Sequence, residues 1–478
     1  MSTKKFVKDS FLVTVLGICS RILGWIRDNY LLEFIGTGAF SDAFSLSVKI
    51  PTSFRKAFSE GAINSALLPK IRDFEEKNAY KRLHILIINT FMIFSFLLFV
   101  FYFGEQFFED WFLSKVAPGF NLEQKAYYGL FVQTTSFTSF IYFCYSILGS
   151  LLQSRGFFFW PSISVILFNF CLICLIKFSL IFNVSVVKIV FFYFFATIIM
   201  LLSTMIPSVI YDLFQEDKSI KIKIASFLFG FIFLFIFVSF YIKFLLFIGF
   251  YCVYLFFANQ NSFFSKQSLG DLRSLFYFFA PIFLIAILTQ INDVISMRFA
   301  SLFGVGSMTL VLRSGKIMQL PIAFIIPVFI TLFSYLNKFS KDKKTSKTLK
   351  RLSMLFVFLI TFAFMLTCFL FTEGIIKIIF FNKVSAKDVV IMKKLVKLYS
   401  ISLPALLMNR LFQMFFFVEK SVIIPAIISL NNSICYVFLM KIFIFYSFDL
   451  SSVVYPFVFC SWITFFLYLI LAYKKEML

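Results

Sequence analysis

Residues 20–28 read SRILGWIRD, with apolar residues on both sides. Arg21 and Arg27 thus lie inside the first long apolar segment, and Asp28, Asp42 and Arg55 follow before the second one ends. A charge at mid-bilayer depth costs about 3 kcal/mol on insertion scales, and such residues face a bundle interior or a wet cavity. The reading that satisfies this cost is a membrane-embedded helix bundle whose first helices line a water-filled cavity rather than lipid.

The rest of the chain agrees. Its 478 residues are 61% hydrophobic and 14% charged, against about 45–50% and about 25% in a soluble domain. Apolar stretches of bilayer-spanning length recur throughout. They fall at 11–33, 40–66, 83–104, 127–153, 160–181, 186–213, 222–241, 243–258, 272–300, 305–336, 352–380, 389–418, 421–446 and 452–474. The expectation is an all-α polytopic membrane protein of about 14 transmembrane helices. The 222–241 and 243–258 pair is also readable as one tilted helix or a re-entrant pair. The basic start, MSTKKFVKDS, precedes no cleavage pattern and reads as part of a retained first helix.

The net charge of +22 would suggest nucleic acid in a soluble chain. Here Lys and Arg have other work: setting topology in short loops and contacting anionic lipid headgroups. The basic run 338–351, KFSKDKKTSKTLKR, lies between spans, so no nucleic-acid partner is expected. Counting loops places this run, Lys4, Lys5, Lys8, the 70–82 cluster, Arg155 and the tail lysines on one side. That side is the cytoplasm, with both termini in it; the lysines of 377–397 dissent. The 78 Phe residues read as compositional bias of the coding genome. The 8 Cys are scattered, and Cys171 and Cys174 have metal-like spacing but sit mid-span, where they read as small buried hydrophobes. With a single His, His84, no metal site and no cofactor is expected.

A coarse internal symmetry runs through the chain. Span one leads through FIGTGAFSDAF (34–44) into a helix broken by Pro51. Span nine, with Asp293 and Arg298, leads through SLFGVGSMTL (301–310) into a helix carrying Lys316 and interrupted near Pro321 and Pro327. Repeats of this kind are a common transporter plan, with the site at their interface. The expected organisation is an N-terminal six-helix lobe at 1–213, an inserted apolar pair or linker at 214–265, and a C-terminal six-helix lobe at 266–478.

Arg21 and Asp28 are seven apart and share a helix face with Gly24, while Arg27 points elsewhere on an ideal helix. A purely structural reading has Arg27 snorkelling to the interface and Arg55 pairing with Glu60 or Asp42. The second half weighs against it, because Arg298, Arg313 and Lys316 have only Asp293 as a nearby carboxylate. Arg313 and Lys316 are three apart on one face, and Thr309 and Gln319 add hydrogen-bonding groups. Arginine forks suit phosphate oxygens, so the two halves together read as a cationic chamber for a phosphate-bearing substrate. No GxxxxGK[ST], HExxH or GxSxG stretch is present. Transport is expected rather than enzymatic catalysis.

These same residues resemble the MurJ/MviN lipid II flippase family of the multidrug/oligosaccharidyl-lipid/polysaccharide exporter superfamily. The likeness is carried by SRILGWIRD, FIGTGAFSDAF, KIPTSFRKAFSEGAINSALLPKI (49–71), QINDVISMRFASLFGVGSMT (290–309) and KIMQLPIAF (316–324). It implies that a monomer moves lipid II, an undecaprenyl-pyrophosphate-linked peptidoglycan precursor, between leaflets by alternating access. By motif match, Ser20, Arg21, Arg27, Asp42 and Arg55 resemble functional residues of that family. With Asp28, Arg298, Thr309, Arg313 and Lys316 they make up the expected substrate-binding set. Lys316 stands where the family usually has arginine, which keeps the charge and loses the fork; Arg313 could compensate. A flippase or exporter of another lipid-linked oligosaccharide or small molecule is the alternative. Coupling stays open between sodium and membrane potential; Asp293, Asn431 and Asn432 are the sodium-ligand candidates, without registering with the family pattern. The family's final helix pair has no counterpart before Leu478, and the 222–258 insertion is a candidate lipid-facing substitute.

Overall fold

A computed structural model describes residues 3–57, 63–213, 265–319, isolated positions between 320 and 342, 343–380, 384–419, 421, 423–446 and 449–475. The 222–258 region lies outside the described residues, as does most of 320–342. Every described element is a helix, as hydrocarbon requires of a chain that must satisfy each backbone N–H and C=O internally. The helices are α1 (Thr3–Ile35), α2 (Ala39–Ala57), α3 (Ile63–Glu76), α4 (Tyr80–Phe107), α5 (Glu109–Val116), α6 (Leu122–Ser154), α7 (Phe159–Ile181) and α8 (Ile189–Leu213). After them come α9 (Lys266–Ala300), α10 (Ser307–Ile317), α11 (Lys343–Leu370), α12 (Thr372–Ile379), α13 (Ala386–Val418), α14 (Ile423–Tyr446) and α15 (Tyr455–Lys474). Among the described residues, 9 helical stretches are long and apolar enough to cross a membrane.

The expected spans 11–33, 83–104, 127–153, 160–181, 186–213, 272–300, 389–418, 421–446 and 452–474 each coincide with a helix. The 40–66 span falls on α2 and the start of α3, with 58–62 outside the described residues, and 305–336 is described chiefly over α10. The 352–380 span is two helices, α11 and α12, because Phe371 leaves helical geometry at φ −110° and ψ 27°. Thr372 donates its hydroxyl back to the Cys368 carbonyl at 2.5 Å and closes the end of α11. The short α12 that follows carries Glu373 and Lys377, joined at 2.8 Å, beside exposed Ile378. Polar and apolar groups on one short helix suit the bilayer interface.

The chain forms two compact units: 1–24, 47–112 and 129–286 make unit 1, and 25–46, 113–128 and 287–478 make unit 2. In unit 1, α4 and α6 bury an aromatic core. Phe91 stacks on Phe143 at 6.0 Å, and Phe99 lies 5.1 Å from Phe140. Phe is therefore the main packing side chain here, whatever set its abundance. At the start of α4, Arg82 grips Asp271 of α9 in a fork, with Nη2 to Oδ1 at 2.8 Å and Nε to Oδ2 at 3.2 Å.

In unit 2, α13 is the central helix. Its buried Phe412 stacks on Tyr468 of α15 at 6.1 Å, and Trp462 of α15 donates to the Ile401 carbonyl at 3.1 Å. Lys350 of α11 is buried and pairs with Glu419, at the end of α13, at 2.7 Å. The start of α6 carries a reciprocal cap. The Gln124 N–H donates to Asn121 Oδ1 at 2.8 Å, and the Asn121 N–H donates to Gln124 Oε1 at 3.0 Å.

Candidate functional site

The site in unit 2 begins where α1 ends. Asp28 Oδ1 accepts from Arg27 Nη2 at 2.8 Å and from Arg27 Nε at 3.1 Å. Its other oxygen, Oδ2, accepts from Lys316 Nζ at 2.7 Å. Adjacent residues on a helix do not face one another, so the ideal-helix picture kept Arg27 apart from Asp28. The arginine side chain is long enough to curl back along the axis, and it does. One carboxylate thus serves two cations, and the trio carries a net positive charge with all three groups ionised. Lys316 uses one of its three donors on Asp28, and its side chain is 42% exposed.

Lys316 is placed by α10, and α10 is placed by Asp42. Asp42 Oδ2 accepts from the Gly306 N–H at 2.6 Å and from Gln124 Nε2 at 3.0 Å. Its Oδ1 accepts from the Thr309 N–H at 2.9 Å and the Thr309 hydroxyl at 2.6 Å. A buried carboxylate with four donors at a helix N-terminus is a cap of the strongest kind, since N–H groups and macrodipole both favour a negative charge there. Gly306, at φ +87°, supplies the left-handed turn that starts the helix.

Arg313, 8% exposed, donates Nη2 to the Gly36 carbonyl at 3.1 Å, in the turn between α1 and α2. That turn is held again by Thr37, whose hydroxyl donates to Asp388 of α13 at 2.9 Å. Trp25 donates to the Ile379 carbonyl at 2.8 Å. Arg298 donates to the Lys115 carbonyl at the end of α5. Of the residues expected from sequence, unit 2 therefore joins Arg27, Asp28 and Lys316 in one cluster and Asp42 with Thr309 in another. Arg313 and Arg298 are each tied to backbone.

Unit 1 holds Ser20, Arg21 and Arg55. The Ser20 carbonyl accepts from Asn169 Nδ2 of α7 at 3.0 Å. Gly24 lies beside the same amide, at a distance where a Cβ would be in ordinary contact, 3.7 Å from Asn169 Nδ2. Arg21 is exposed. Arg55, near the end of α2, lies over the ring of Tyr142 of α6, with Cζ 5.7 Å from the centroid. Of the sodium-ligand candidates, Asn432 accepts from the Thr464 hydroxyl at 2.9 Å and Asn431 is exposed. Among the described residues, no group of three or more His, Cys, Asp or Glu gathers to hold a metal.

The sequence of this chain matches the lipid II flippase MurJ family over residues 31–478. The chain belongs to the MurJ family. A curated relative, "Probable lipid II flippase MurJ" of Buchnera aphidicola subsp. Schizaphis graminum, is 25% identical over 494 aligned residues, covering 98% of this chain and 84% of its own length. Among solved structures, a lipid II flippase MurJ in an inward closed conformation superposes with a TM-score of 0.75 at 20% identity, covering 97% of this chain and 87% of that one. An inward-facing MATE family transporter of the MOP superfamily gives 0.73 at 11% identity, covering 98% of both chains. These two likenesses are of fold. MurJ membership and the apolar helices make the chain a multi-pass protein of the bacterial inner membrane.

Sequence reasoning about this MurJ-family chain missed Gln124, Gly306 and Asp388. Gln124 carried a readable signal, the Asn-x-x-Gln spacing of a capping box at 121–124. That spacing announces the start of α6 but says nothing of the side-chain amide reaching Asp42. Asp388 sits among lysines that drew attention only for their topology.

Proposed function

We propose that this chain moves lipid II from the cytoplasmic to the outer leaflet by alternating access, holding the headgroup in a cationic central cavity. The observation that carries the reading is the trio of Arg27, Asp28 and Lys316, in which one carboxylate is shared by two cations. Such a cluster holds charge at depth with less desolvation cost than isolated cations, and it keeps a net attraction for a diphosphate. Arg21, Arg55 and Ser20 act with it from the first lobe, 1–213, and Arg298, Thr309 and Arg313 from the second, 266–478. Asp42 serves by fixing the helix that presents Arg313 and Lys316. Both termini lie in the cytoplasm, anionic lipids surround a working monomer, and the drive is a sodium gradient or the membrane potential.

The test is complementation of a conditional lipid II flippase mutant with single neutral replacements. Arg21→Ala, Arg27→Ala, Arg55→Ala and Lys316→Ala are expected to fail to restore growth, with abundance near that of the unaltered protein by immunoblot. Full rescue by Arg27→Ala and Lys316→Ala would overturn the headgroup role of the trio.

A further inference from the structure

Arg55 sits on an aromatic platform. Its Cζ is 5.7 Å from the Tyr142 centroid, inside the roughly 6 Å at which a ring quadrupole holds a cation. Tyr142 is fully buried on α6, and its hydroxyl is 2.7 Å from that of Tyr193 on α8. The Tyr193 ring in turn meets Phe168 of α7 edge-on, at 5.5 Å and 90°. Side chains from α2, α6, α8 and α7 thus form one continuous stack within unit 1.

The chemistry of this stack is particular. A buried tyrosine hydroxyl needs a partner, and pairing Tyr142 with Tyr193 satisfies both without a charge. The hydroxyl pair pins the Tyr142 ring, and the ring offers its face to the guanidinium. A guanidinium seated on a ring keeps its N–H groups directed outward in its own plane, where two oxygens of a diphosphate can be forked. A flexible arginine would have to be ordered at each binding event, and a preorganised one would not.

We propose that Tyr142, backed by Tyr193, is a positioning residue that seats the Arg55 guanidinium for the diphosphate of the substrate headgroup. This rests on the reading that Arg55 contacts that headgroup. Tyr142 touches no substrate; it acts through Arg55.

The experiment titrates the purified full-length protein in detergent with undecaprenyl pyrophosphate and reads the dissociation constant. Tyr142→Leu removes the ring face and is expected to weaken binding about threefold to tenfold. Tyr142→Phe keeps the face and is expected to weaken it no more than about twofold. In an Arg55→Ala background, Tyr142→Leu is expected to add nothing, because the cation it seats is gone. A series placing phenylalanine and then mono-, di- and trifluorophenylalanine at position 142 covers the case in which Tyr142→Leu fails to fold. Fluorination drains the ring face while barely changing its shape, so affinity should fall at each step. A flat fluorination series, or a Tyr142→Leu loss that persists without Arg55, overturns the proposal. If Arg55→Ala itself binds as tightly as the unaltered protein, the headgroup role of Arg55 fails and this proposal with it. If Arg55→Ala weakens binding and the fluorinated series is flat, the positioning role alone is lost.

Discussion

Lys316 Nζ lies 2.7 Å from Asp28 Oδ2, across 288 positions of sequence, and Arg27 occupies the other oxygen of the same carboxylate. An arrangement that binds two cations through one anion keeps those cations in place while leaving their net charge positive. It sets the first expectation about what each member does.

Asp28→Asn removes the anion and leaves Arg27 and Lys316 to repel one another. Because the Lys316 side chain is partly exposed, the stability change should be about 1 kcal/mol or less. Binding of undecaprenyl pyrophosphate should nevertheless weaken by about tenfold, the equivalent of roughly 1.4 kcal/mol, and growth rescue of a flippase-depleted strain should fall with it. Lys316→Arg keeps the charge and adds a fork, so it should rescue fully where Lys316→Ala does not. Equal failure of both would mean that the position tolerates only the ammonium.

Asp42→Ala leaves the Gly306 and Thr309 N–H groups and the Gln124 amide without their shared acceptor. Each buried orphan costs about 1–3 kcal/mol, so the thermal midpoint of the purified protein should fall by several degrees. Asp42→Asn retains one acceptor oxygen and should fall less. Thr309→Val loses only the side-chain arm of the cap, and its midpoint should lie closest to that of the unaltered protein.

Glu419→Ala strands the buried ammonium of Lys350. Breaking one side of a buried pair can cost about 3 kcal/mol, whereas replacing both members with apolar groups is often neutral. The double variant Lys350→Met with Glu419→Leu should therefore melt at a higher temperature than Glu419→Ala alone. Thermal scans in detergent read the order directly, and the reverse order would show that the pair is not desolvated.

Acid should loosen the turn before α15. Burial acts to raise the Asp449 carboxyl, but the Ser451 hydroxyl and the Lys394 ammonium outweigh it, and the group ends below its ordinary value. An acid whose folded value is depressed contributes stability that is present above the unfolded value, and that stability is lost as pH falls through the folded one. Protection of the Ser452 and Val454 amides against hydrogen exchange should thus hold above about pH 4 and decline below it. Lys394→Ala should raise the folded value toward the unfolded one and so shrink the acid-dependent loss, its onset staying at the unfolded value. Ion pairs this exposed are screened, so the effect should also shrink at high salt.

Much of this architecture was legible from the order of residues alone. Runs such as 83–104, 160–181 and 389–418 are long and mainly apolar, and each became a helix reaching within a few residues of its expected ends. Length and hydropathy are local properties, and in hydrocarbon they leave the backbone no alternative to a helix. The break at Phe371 had a local mark, Thr372-Glu373-Gly374, that the apolar runs on either side of it outweighed in the reading of 352–380 as one span. The residue types of the site were legible too, since Arg27, Asp28, Asp42 and Lys316 are conspicuous against their apolar surroundings.

The sequence by itself determined that this is a bundle of membrane helices carrying charges that hydrocarbon will not tolerate unpaired. Only the tertiary structure decided which charges meet. Asp42 finds Thr309 across 267 positions and Gln124 across 82, and Thr37 finds Asp388 across 351. The reason is that a helix face can be read from a periodicity of 3.6 residues, whereas a partner on another helix depends on how distant segments pack. A single sequence carries no local mark of that packing.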